Sequence, residues 1–371
     1  MAALTIAIDA SRATVARRTG TETYALRLIR ALIALETSHR FVLYFRDTPA
    51  PGLFPACSHV EQRVIPWPRA WTHLRFAAAL WRSRPDVTFV PAHTLPLWFP
   101  GPAVVTVHDL GYVYFPEAHP PLTRRYLDWS TQHSVRRATR IVADSLATAR
   151  DISAHYNVPQ HRISLVYPGV DPSLAPVRDP ARLAAVRQRY GLPERYLLFV
   201  GTLQPRKNIA RIVRAYAQWR EQSGVRDVGL VLAGPQGWLY DPVWTAGAPD
   251  VVMTGYVDDP DVPALYSGAL ALVFPSLHEG FGFPVLEAMR CGTAVITSNT
   301  SSLPEVAGDA ALLVDPRDVG AIAAAIDRLV SDEALRASLI ERGFQQAATF
   351  TWERAAQQTL RVLERAAGVV P

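Results

Sequence analysis

Hydrophobic positions along the chain follow two alternating patterns. Short, nearly continuous apolar runs rich in Val, Ile and Leu alternate with longer segments whose apolar residues recur at helical spacing. Apolar runs of this kind are typical of parallel strands that are buried on both faces of a sheet. The pattern predicts strands at residues 4–9, 41–45, 60–65, 87–90, 103–108, 140–143 and 163–167, and then at 196–200, 228–233, 251–254, 270–274, 293–297 and 311–314.

A proline-rich segment, residues 167–176, separates the two series of strands. We therefore predict two doubly wound, Rossmann-like α/β domains, an N-terminal acceptor-side domain at residues 1–170 and a C-terminal domain at 171–349. A last helix at residues 350–371, with Thr351 as its N-cap, is expected to pack back on the first domain. Since such domains bind ligands at the carboxyl ends of their strands, we expect them to face each other across a substrate cleft.

Composition narrows the class of protein. The 371 residues are 49% hydrophobic and 19% charged, which excludes a disordered or collagen-like chain. No apolar run reaches the roughly 18–20 residues that span a bilayer, and no basic leader precedes the first strand. The two cysteines, Cys57 and Cys291, lie far apart, so neither a disulfide framework nor a cysteine zinc site is expected. These features predict a cytoplasmic protein.

Charge is distributed unevenly over the two halves. Residues 1–170 carry 19 basic and 11 acidic side chains, a net charge of +8, whereas residues 171–371 carry 19 and 22, a net charge of −3. By charge alone, the basic half could face nucleic acid, anionic lipid or a phosphorylated substrate. Lys207 is the only lysine among 38 basic residues.

The loop after the strand at 196–200 contains Gly201, Arg206 and Lys207, and a predicted helix follows it. Cations at a helix N-terminus oppose the helix dipole, so folding gives no reason to place two there. A bound diphosphate would explain them, with Arg206 as a forked donor and Lys207 as a compact ammonium. We expect Lys207→Ala to weaken nucleotide binding and to leave thermal stability nearly unchanged.

A second loop follows the strand at 270–274 and carries two carboxylates. Gly280 and Gly282 allow a ligand to approach the backbone closely, and Pro284 suits the first position of the next helix. Glu287 is expected in the first turn of that helix, where it could accept hydrogen bonds from ribose hydroxyls. Glu279 could hold sugar hydroxyls, or it could be a solvated loop charge.

The first domain offers weaker candidates. Thr19 and Glu22 have the spacing of a capping box, and the helix that they begin could also receive a phosphate near Gly20. The strand at 103–108 delivers His108 and Asp109 to its carboxyl end. A histidine in this place is either a hydrogen-bonded structural residue or a catalytic one.

Residues 67–81 predict a helix with one aromatic stripe beside several arginines. The stripe could lie on an anionic membrane, or it could pack in the core while the arginines are solvated. Its members are Trp67, Trp71, Leu74, Ala78 and Trp81.

Together these motifs resemble the retaining glycosyltransferases of family 4, which have the GT-B fold. The resemblance rests on the segment from His278 to Met289, in which Glu279 and Glu287 stand eight residues apart, on Arg206-Lys207-Asn208, and on residues 302–316. The first half resembles the family through residues 107–110 and 168–171. The family's usual Gly-Gly pair in the first loop is Thr19-Gly20 in this chain.

The resemblance implies transfer of a sugar from a nucleotide diphosphate sugar, with retention at the anomeric carbon and without a required metal or other cofactor. It implies that Arg206 and Lys207 stabilise the leaving diphosphate, that Glu279 holds the donor sugar with the N–H groups of Gly282 and Phe283, and that Glu287 binds ribose. The remaining residues expected in the site are Gly20, His108, Asp109, Gly201, Gly280 and Phe281.

The chain looks most like bacterial mannosyltransferases of surface-polysaccharide assembly. A GDP-mannose donor is favoured slightly over UDP-sugars, with a glycan or lipid-linked acceptor. Peripheral contact of the N-terminal domain with the inner face of the plasma membrane is expected, and a nucleic-acid partner is not. Two alternatives stay open, a sugar-nucleotide epimerase of the same fold and a catalytically silent sugar-nucleotide binding protein.

Overall fold

The computed structural model describes residues 3–15, 20–118, 120–237, 239–245 and 249–369. The chain forms two compact units. Unit 1 comprises Met1–Gly169 together with Phe350–Pro371, and unit 2 comprises Val170–Thr349.

Unit 1 is built on a parallel sheet of seven strands in the order β3-β2-β1-β4-β5-β6-β7. The order reverses between β1 and β4, which makes this a doubly wound sheet with its switch point there. The strands are β1 Thr5–Asp9, β2 Arg40–Phe45, β3 Val60–Val64, β4 Val87–Val90, β5 Ala103–Val107, β6 Arg140–Ala143 and β7 Ile163–Leu165.

The helices of unit 1 are α1 Gly20–Ile33, α2 Ala77–Ser83, α3 Gly111–Tyr114, α4 Pro121–Arg137, α5 Leu146–Tyr156 and, at the end of the chain, α13 Trp352–Ala366. As predicted, Thr351 caps α13, its hydroxyl accepting from the N–H of Arg354 at 3.2 Å. The helix packs on α1. The Trp352 ring lies 5.9 Å from the Tyr24 ring, so the last helix belongs to the core of unit 1.

Unit 2 repeats this architecture with six parallel strands in the order β10-β9-β8-β11-β12-β13. Its switch point lies between β8 and β11. The strands are β8 Arg195–Val200, β9 Val228–Ala233, β10 Val251–Gly255, β11 Ala271–Phe274, β12 Ala294–Ser298 and β13 Leu312–Val314. The helices are α6 Pro180–Tyr190, α7 Ile209–Ser223, α8 Val262–Ser267, α9 Phe283–Arg290, α10 Leu303–Ala307, α11 Val319–Ser331 and α12 Glu333–Ala348.

The strands form where apolar runs predict them, because central parallel strands are buried on both faces. All residues of β4, β5, β9 and β11 are buried. All thirteen predicted strands are present, with ends within two residues of the prediction. Cys291 is buried and Cys57 is half-buried, and both are free thiols. No helix in the described ranges is long and apolar enough to cross a membrane.

The prediction that residues 67–81 form one helix with a single aromatic stripe is wrong. A π-helical turn, Thr72–Phe76, precedes α2 and changes the helical period, so the residues no longer share one face. Trp71 is buried and stacks on Phe76 at 5.2 Å, whereas Trp67, Leu74 and Trp81 are exposed.

Candidate functional site

The strongest candidate site lies in unit 2, at the carboxyl ends of β8 and β11. These neighbouring strands flank the switch point, where doubly wound sheets bind ligands. The loop after β8 contains Gly201 and ends in a short turn, Pro205–Lys207, before α7. The loop after β11 leads to Glu279 and α9. Sheet topology therefore brings together two loops that are 72 residues apart in the chain.

Arg206 and Lys207 both bind the Glu279 carboxylate. The Lys207 ammonium donates to Oε1 at 2.5 Å, and the Arg206 guanidinium donates to Oε2 at 2.9 Å. Arg206 also donates to the carbonyl oxygen of His278, and the Leu277 N–H donates to the Arg206 carbonyl. The two loops are thus joined by side chains and by backbone.

Burial and charge oppose each other at Glu279. Burial raises the pKa of this carboxyl, but attraction to Lys207 and then to Arg206, with hydrogen bonds, outweighs burial and lowers the pKa to about 2. The solvated alternative for Glu279 is wrong, since this residue is 5% exposed. Lys207 is 8% exposed, so it is a buried, paired cation rather than an open one. The three groups together carry a net charge of +1.

An aromatic ring contacts Lys207, and glycines shape the loop that carries it. Its ammonium lies 5.0 Å from the centre of the Phe274 ring, which adds a cation–π contact. Gly201 has φ +144°, a conformation that L side chains rarely adopt. A Cβ at Gly234, in the loop after β9, would lie 2.2 Å from the Gly201 carbonyl oxygen, so both loops need glycine.

The segment from Glu279 to Phe283 is held by the loop after β12. Gly280, Phe281 and Gly282 are buried, and Phe283 is half-buried and begins α9. Gly282 is the N-cap at φ +110°, and a Cβ there would meet Leu303 at 2.7 Å. The Ser302 hydroxyl lies within hydrogen-bond distance of the Glu279 and Phe281 carbonyls, at 3.0 and 2.7 Å.

Two residues that support this site, Ser302 and Asn208, were not predicted as site residues. The Asn208 amide donates to the carbonyls of Pro275 and Pro316, at 2.9 and 2.6 Å, and so ties three loops together. Both residues lie within segments that carry the family resemblance, which is the one signal that could have found them.

Glu287 lies in the second turn of α9, not in the first as predicted, because the helix begins at Phe283. Its carboxylate therefore gains less from the helix dipole than expected. The Tyr266 hydroxyl donates to Oε2 at 2.8 Å. Burial raises the pKa of Glu287, the Tyr266 hydrogen bond lowers it, and the charges of Asp171 and Asp259 raise it, with a net rise.

In unit 1, His108 follows β5 and pairs with a residue that sequence reasoning missed. Its Nδ1 lies 2.5 Å from Oδ2 of Asp144, which follows the neighbouring strand β6. The signal was present, since Asp144 directly follows a predicted strand. Burial lowers the pKa of His108, but attraction and hydrogen bonding to Asp144 outweigh burial and raise it.

The other unit 1 candidates have local partners. The Asp109 carboxylate accepts from the Gly111 N–H at 2.8 Å, beside the start of α3. Gly20 is the first residue of α1 and is exposed. Glu22 lies 3.5 Å from Arg12. The proposed cap, Thr19, lies outside the described residues. Among the residues that the structure describes, no three His, Cys, Asp or Glu side chains are grouped so that they could hold a metal ion.

Two family models match the chain. The model for glycosyl transferases group 1 matches residues 185–346, and the model for glycosyltransferase family 4 matches residues 18–174. The first match includes every candidate residue of unit 2, and the second includes Gly20, His108 and Asp109.

Two curated relatives are mannosyltransferases of Escherichia coli. O-antigen chain mannosyltransferase B is 39% identical over 264 residues, which cover 70% of this chain and 69% of that protein. Serotype-specific mannosyltransferase WbdA is 30% identical over 236 residues, which cover 62% of this chain and 29% of that protein. The match therefore spans about three tenths of the length of WbdA.

Among solved structures, the sucrose-phosphate synthase of Thermosynechococcus elongatus superimposes with a TM-score of 0.75 and 23% sequence identity. The alignment covers 98% of both chains. At this identity the match shows a shared fold.

Proposed function

Because the chain belongs to glycosyltransferase family 4, we propose that it transfers mannose from GDP-mannose to a glycan or lipid-linked acceptor, with retention at the anomeric carbon. The observation that carries the proposal is the ion-pair group at the switch point of unit 2, in which half-buried Arg206 and buried Lys207 both bind buried Glu279. Similarity to two mannosyltransferases supports the choice of sugar.

Arg206 and Lys207 would stabilise the leaving nucleotide. Cleavage of the bond between sugar and diphosphate places negative charge on the leaving oxygen, and cations fixed in advance stabilise that charge as it develops. Glu279 already holds both cations in place. These two side chains supply the charge that a metal ion supplies in other phosphate sites, so we propose that transfer needs no metal.

The carboxylates would divide recognition of the donor. Glu279 would bind the sugar hydroxyls with the N–H groups of Gly282 and Phe283, because the first N–H groups of a helix have no acceptor within it. Glu287 would bind the ribose hydroxyls. For unit 1, we propose that His108 binds the sugar with Asp109 in support, and that Gly20 lets a phosphate approach the start of α1.

A test combines the purified full chain, GDP-mannose and a mannose-terminated oligosaccharide. We expect release of GDP, a product heavier by one hexose, a retained anomeric configuration by proton NMR, and unchanged rates in EDTA. Arg206→Ala should reduce kcat/KM by roughly tenfold to a hundredfold, the effect of one charge-assisted hydrogen bond. Arg214→Ala, which removes an exposed arginine of α7, the helix that follows Arg206, is the matched control.

Other outcomes of this test would contradict the proposal. Conversion of the donor without an acceptor would identify an epimerase. Donor binding without turnover would identify a silent binding protein. Faster transfer from a UDP-sugar than from GDP-mannose would overturn the choice of donor.

We further propose that unit 1 contacts an anionic membrane at the cytoplasmic face, where a lipid-linked acceptor would lie. An exposed aromatic face supports this proposal. This face, which we call the aromatic face, combines four aromatic residues with two leucines. They lie on the turn before α2, on α2, in the loop after β4 and on α4. They are Leu74, Trp81, Trp98, Leu122, Tyr126 and Trp129.

Contacts between these elements support a continuous aromatic face. His73 Nε2 lies 3.4 Å from the Tyr126 hydroxyl, and His133 Nε2 lies 3.3 Å from the Pro96 carbonyl. An open groove of about 380 Å³ is lined by residues of α4, among them Trp129, His133 and Arg137. Exposed arginines accompany the aromatic rings, among them Arg82 and Arg125. Aromatic rings beside arginines favour an anionic lipid surface.

A further inference from the structure

Both ring nitrogens of His108 face hydrogen-bond acceptors. Nδ1 lies 2.5 Å from the Asp144 carboxylate, and Nε2 lies 3.3 Å from the Pro91 carbonyl oxygen. A neutral imidazole has one N–H and can satisfy one of these acceptors, whereas an imidazolium satisfies both. The geometry therefore favours a doubly protonated ring.

The neighbouring histidine, His93, is held as a neutral acceptor. The backbone N–H of His108 donates to His93 Nε2 at 3.0 Å, so that nitrogen carries no proton. Burial, and after it the charge of His108, lowers the pKa of His93 to about 4. The two rings lie 5.4 Å apart, so a positive charge on His108 disfavours a second positive charge on His93.

Other groups around the two histidines orient the His108 ring and act electrostatically on both rings. The Tyr24 ring meets the His108 ring edge to face at 4.7 Å and 79°. Asp109 attracts the His108 charge, and Arg12 acts on His93. Asp144 is 2% exposed, so its hydrogen bond to the ring is shielded from water; burial raises the pKa of this carboxyl, and attraction to His108 opposes the rise.

We propose that Asp144 is a positioning residue, which keeps His108 as an imidazolium so that Nε2–H can turn from the long Pro91 contact to an oxygen of the substrate. His108 then acts as a fixed charged donor and not as a general base. This inference rests on the proposed transferase function for its kinetic consequence, but the protonation state of the ring can be measured without any substrate.

The first test is an NMR titration of the full chain labelled with ¹⁵N-histidine, with His108→Gln used for assignment. We expect the pKa of His108 to lie above its ordinary 6.5, so that both nitrogens are mostly protonated at pH 6.5, and His93 to be neutral at that pH. In Asp144→Asn the His108 midpoint should fall by about one pH unit or more, since a neighbouring charge typically shifts a pKa by this amount. A neutral His108 at pH 6.5 in the unaltered chain would overturn the proposal, whether or not the variant folds.

The second test is the pH profile of kcat. Activity should fall on the alkaline side as His108 loses its proton, and Asp144→Asn should move this limb to lower pH while reducing kcat by about tenfold to a hundredfold. Asp151→Asn is the matched control, since this carboxylate bonds the Tyr114 hydroxyl instead. An alkaline limb that stays in place in folded Asp144→Asn would contradict the proposal.

The two tests separate the two proposals. If the NMR titration follows expectation and no sugar is transferred, the transferase proposal fails and the protonation of His108 stands. If sugar is transferred but the titration midpoint of His108 is the same in Asp144→Asn, the positioning role of Asp144 is contradicted and the transferase proposal is not.

Discussion

The site depends on single residues whose partners lie far away in the chain. Glycine-rich loops, the lone lysine and the paired carboxylates can be predicted because each leaves a local signal after a predicted strand. Their pairing cannot, because Lys207 and Glu279 are 72 residues apart and meet only once β8 and β11 lie side by side. The same holds for His108 and Asp144, which are 36 residues apart.

The pairing of Lys207 changes what its removal should do. The sequence suggested that Lys207→Ala would leave stability nearly unchanged, but in the fold it removes one of two cations from a buried carboxylate. We expect a loss of about 3 kcal/mol in the free energy of unfolding, the lower end for breaking a buried ion pair, because Arg206 still binds Oε2. Denaturant unfolding measures this loss.

A matched double variant separates lost pairing from lost packing. Lys207→Met keeps a similar volume and removes the cation, and adding Glu279→Gln then removes the buried negative charge, so the double variant should be more stable than Lys207→Met alone. If the single and double variants are equally unstable, the buried carboxylate is not the cause of the loss.

The same carboxylate predicts how stability depends on acid. Because the pKa of Glu279 is lowered from its ordinary 4.5 to about 2, its contribution is complete above 4.5 and is lost as the pH falls toward 2. Between pH 6 and pH 3 this loss is about 2 kcal/mol. Urea unfolding of the unaltered chain and of Glu279→Gln should therefore converge by this amount as the pH falls, and parallel curves would contradict the lowered pKa.

At the scale of elements, the strands are the most predictable part. Parallel strands that are buried on both faces are apolar along their whole length, so a continuous apolar run is enough to predict them. Helical segments are less certain, since a single π turn at Thr72–Phe76 divides a regular stripe into a buried part and an exposed part. The cap of α9 also shifts Glu287 into the second turn, which spacing alone did not show.

The close contact between Gly169 and the start of α13 predicts that this helix is sensitive to a side chain at position 169. A Cβ at Gly169 would lie 2.3 Å from the backbone nitrogen of Trp352, and backbone cannot move aside as a flexible side chain does. Gly169→Ala should therefore lower the free energy of unfolding by about 1–3 kcal/mol by displacing the start of α13. Thermal unfolding checks this.

A matched glycine provides the control. Gly320 lies in the first turn of α11, where the closest atom to an added Cβ is a side-chain oxygen of Asp318 at 3.3 Å. Gly320→Ala should be neutral or slightly stabilising, since alanine favours helix. Equal losses in both variants would show that the Trp352 contact is not the cause.

For the whole molecule, the predicted GT-B fold of two Rossmann-like units is confirmed. The two units also differ in charge. Unit 1 carries 22 basic and 13 acidic residues, a net charge of +9, whereas unit 2 carries 16 and 20, a net charge of −4. The excess of positive charge therefore belongs to the unit that also exposes the aromatic face.

That coincidence leads to a prediction for binding to vesicles. The chain should sediment with vesicles containing anionic lipid and not with neutral ones, and binding should weaken with salt, because at 0.15 M charges are screened over about 8 Å. Trp98→Ser and Trp129→Ser should each weaken binding by roughly tenfold, since burying an aromatic side chain contributes about 1.5–3 kcal/mol. Leu313→Ser, which changes an exposed apolar residue of unit 2, should have no effect. Equal binding of all three variants would show that charge alone attracts the chain to the lipid and that the aromatic face does not enter it.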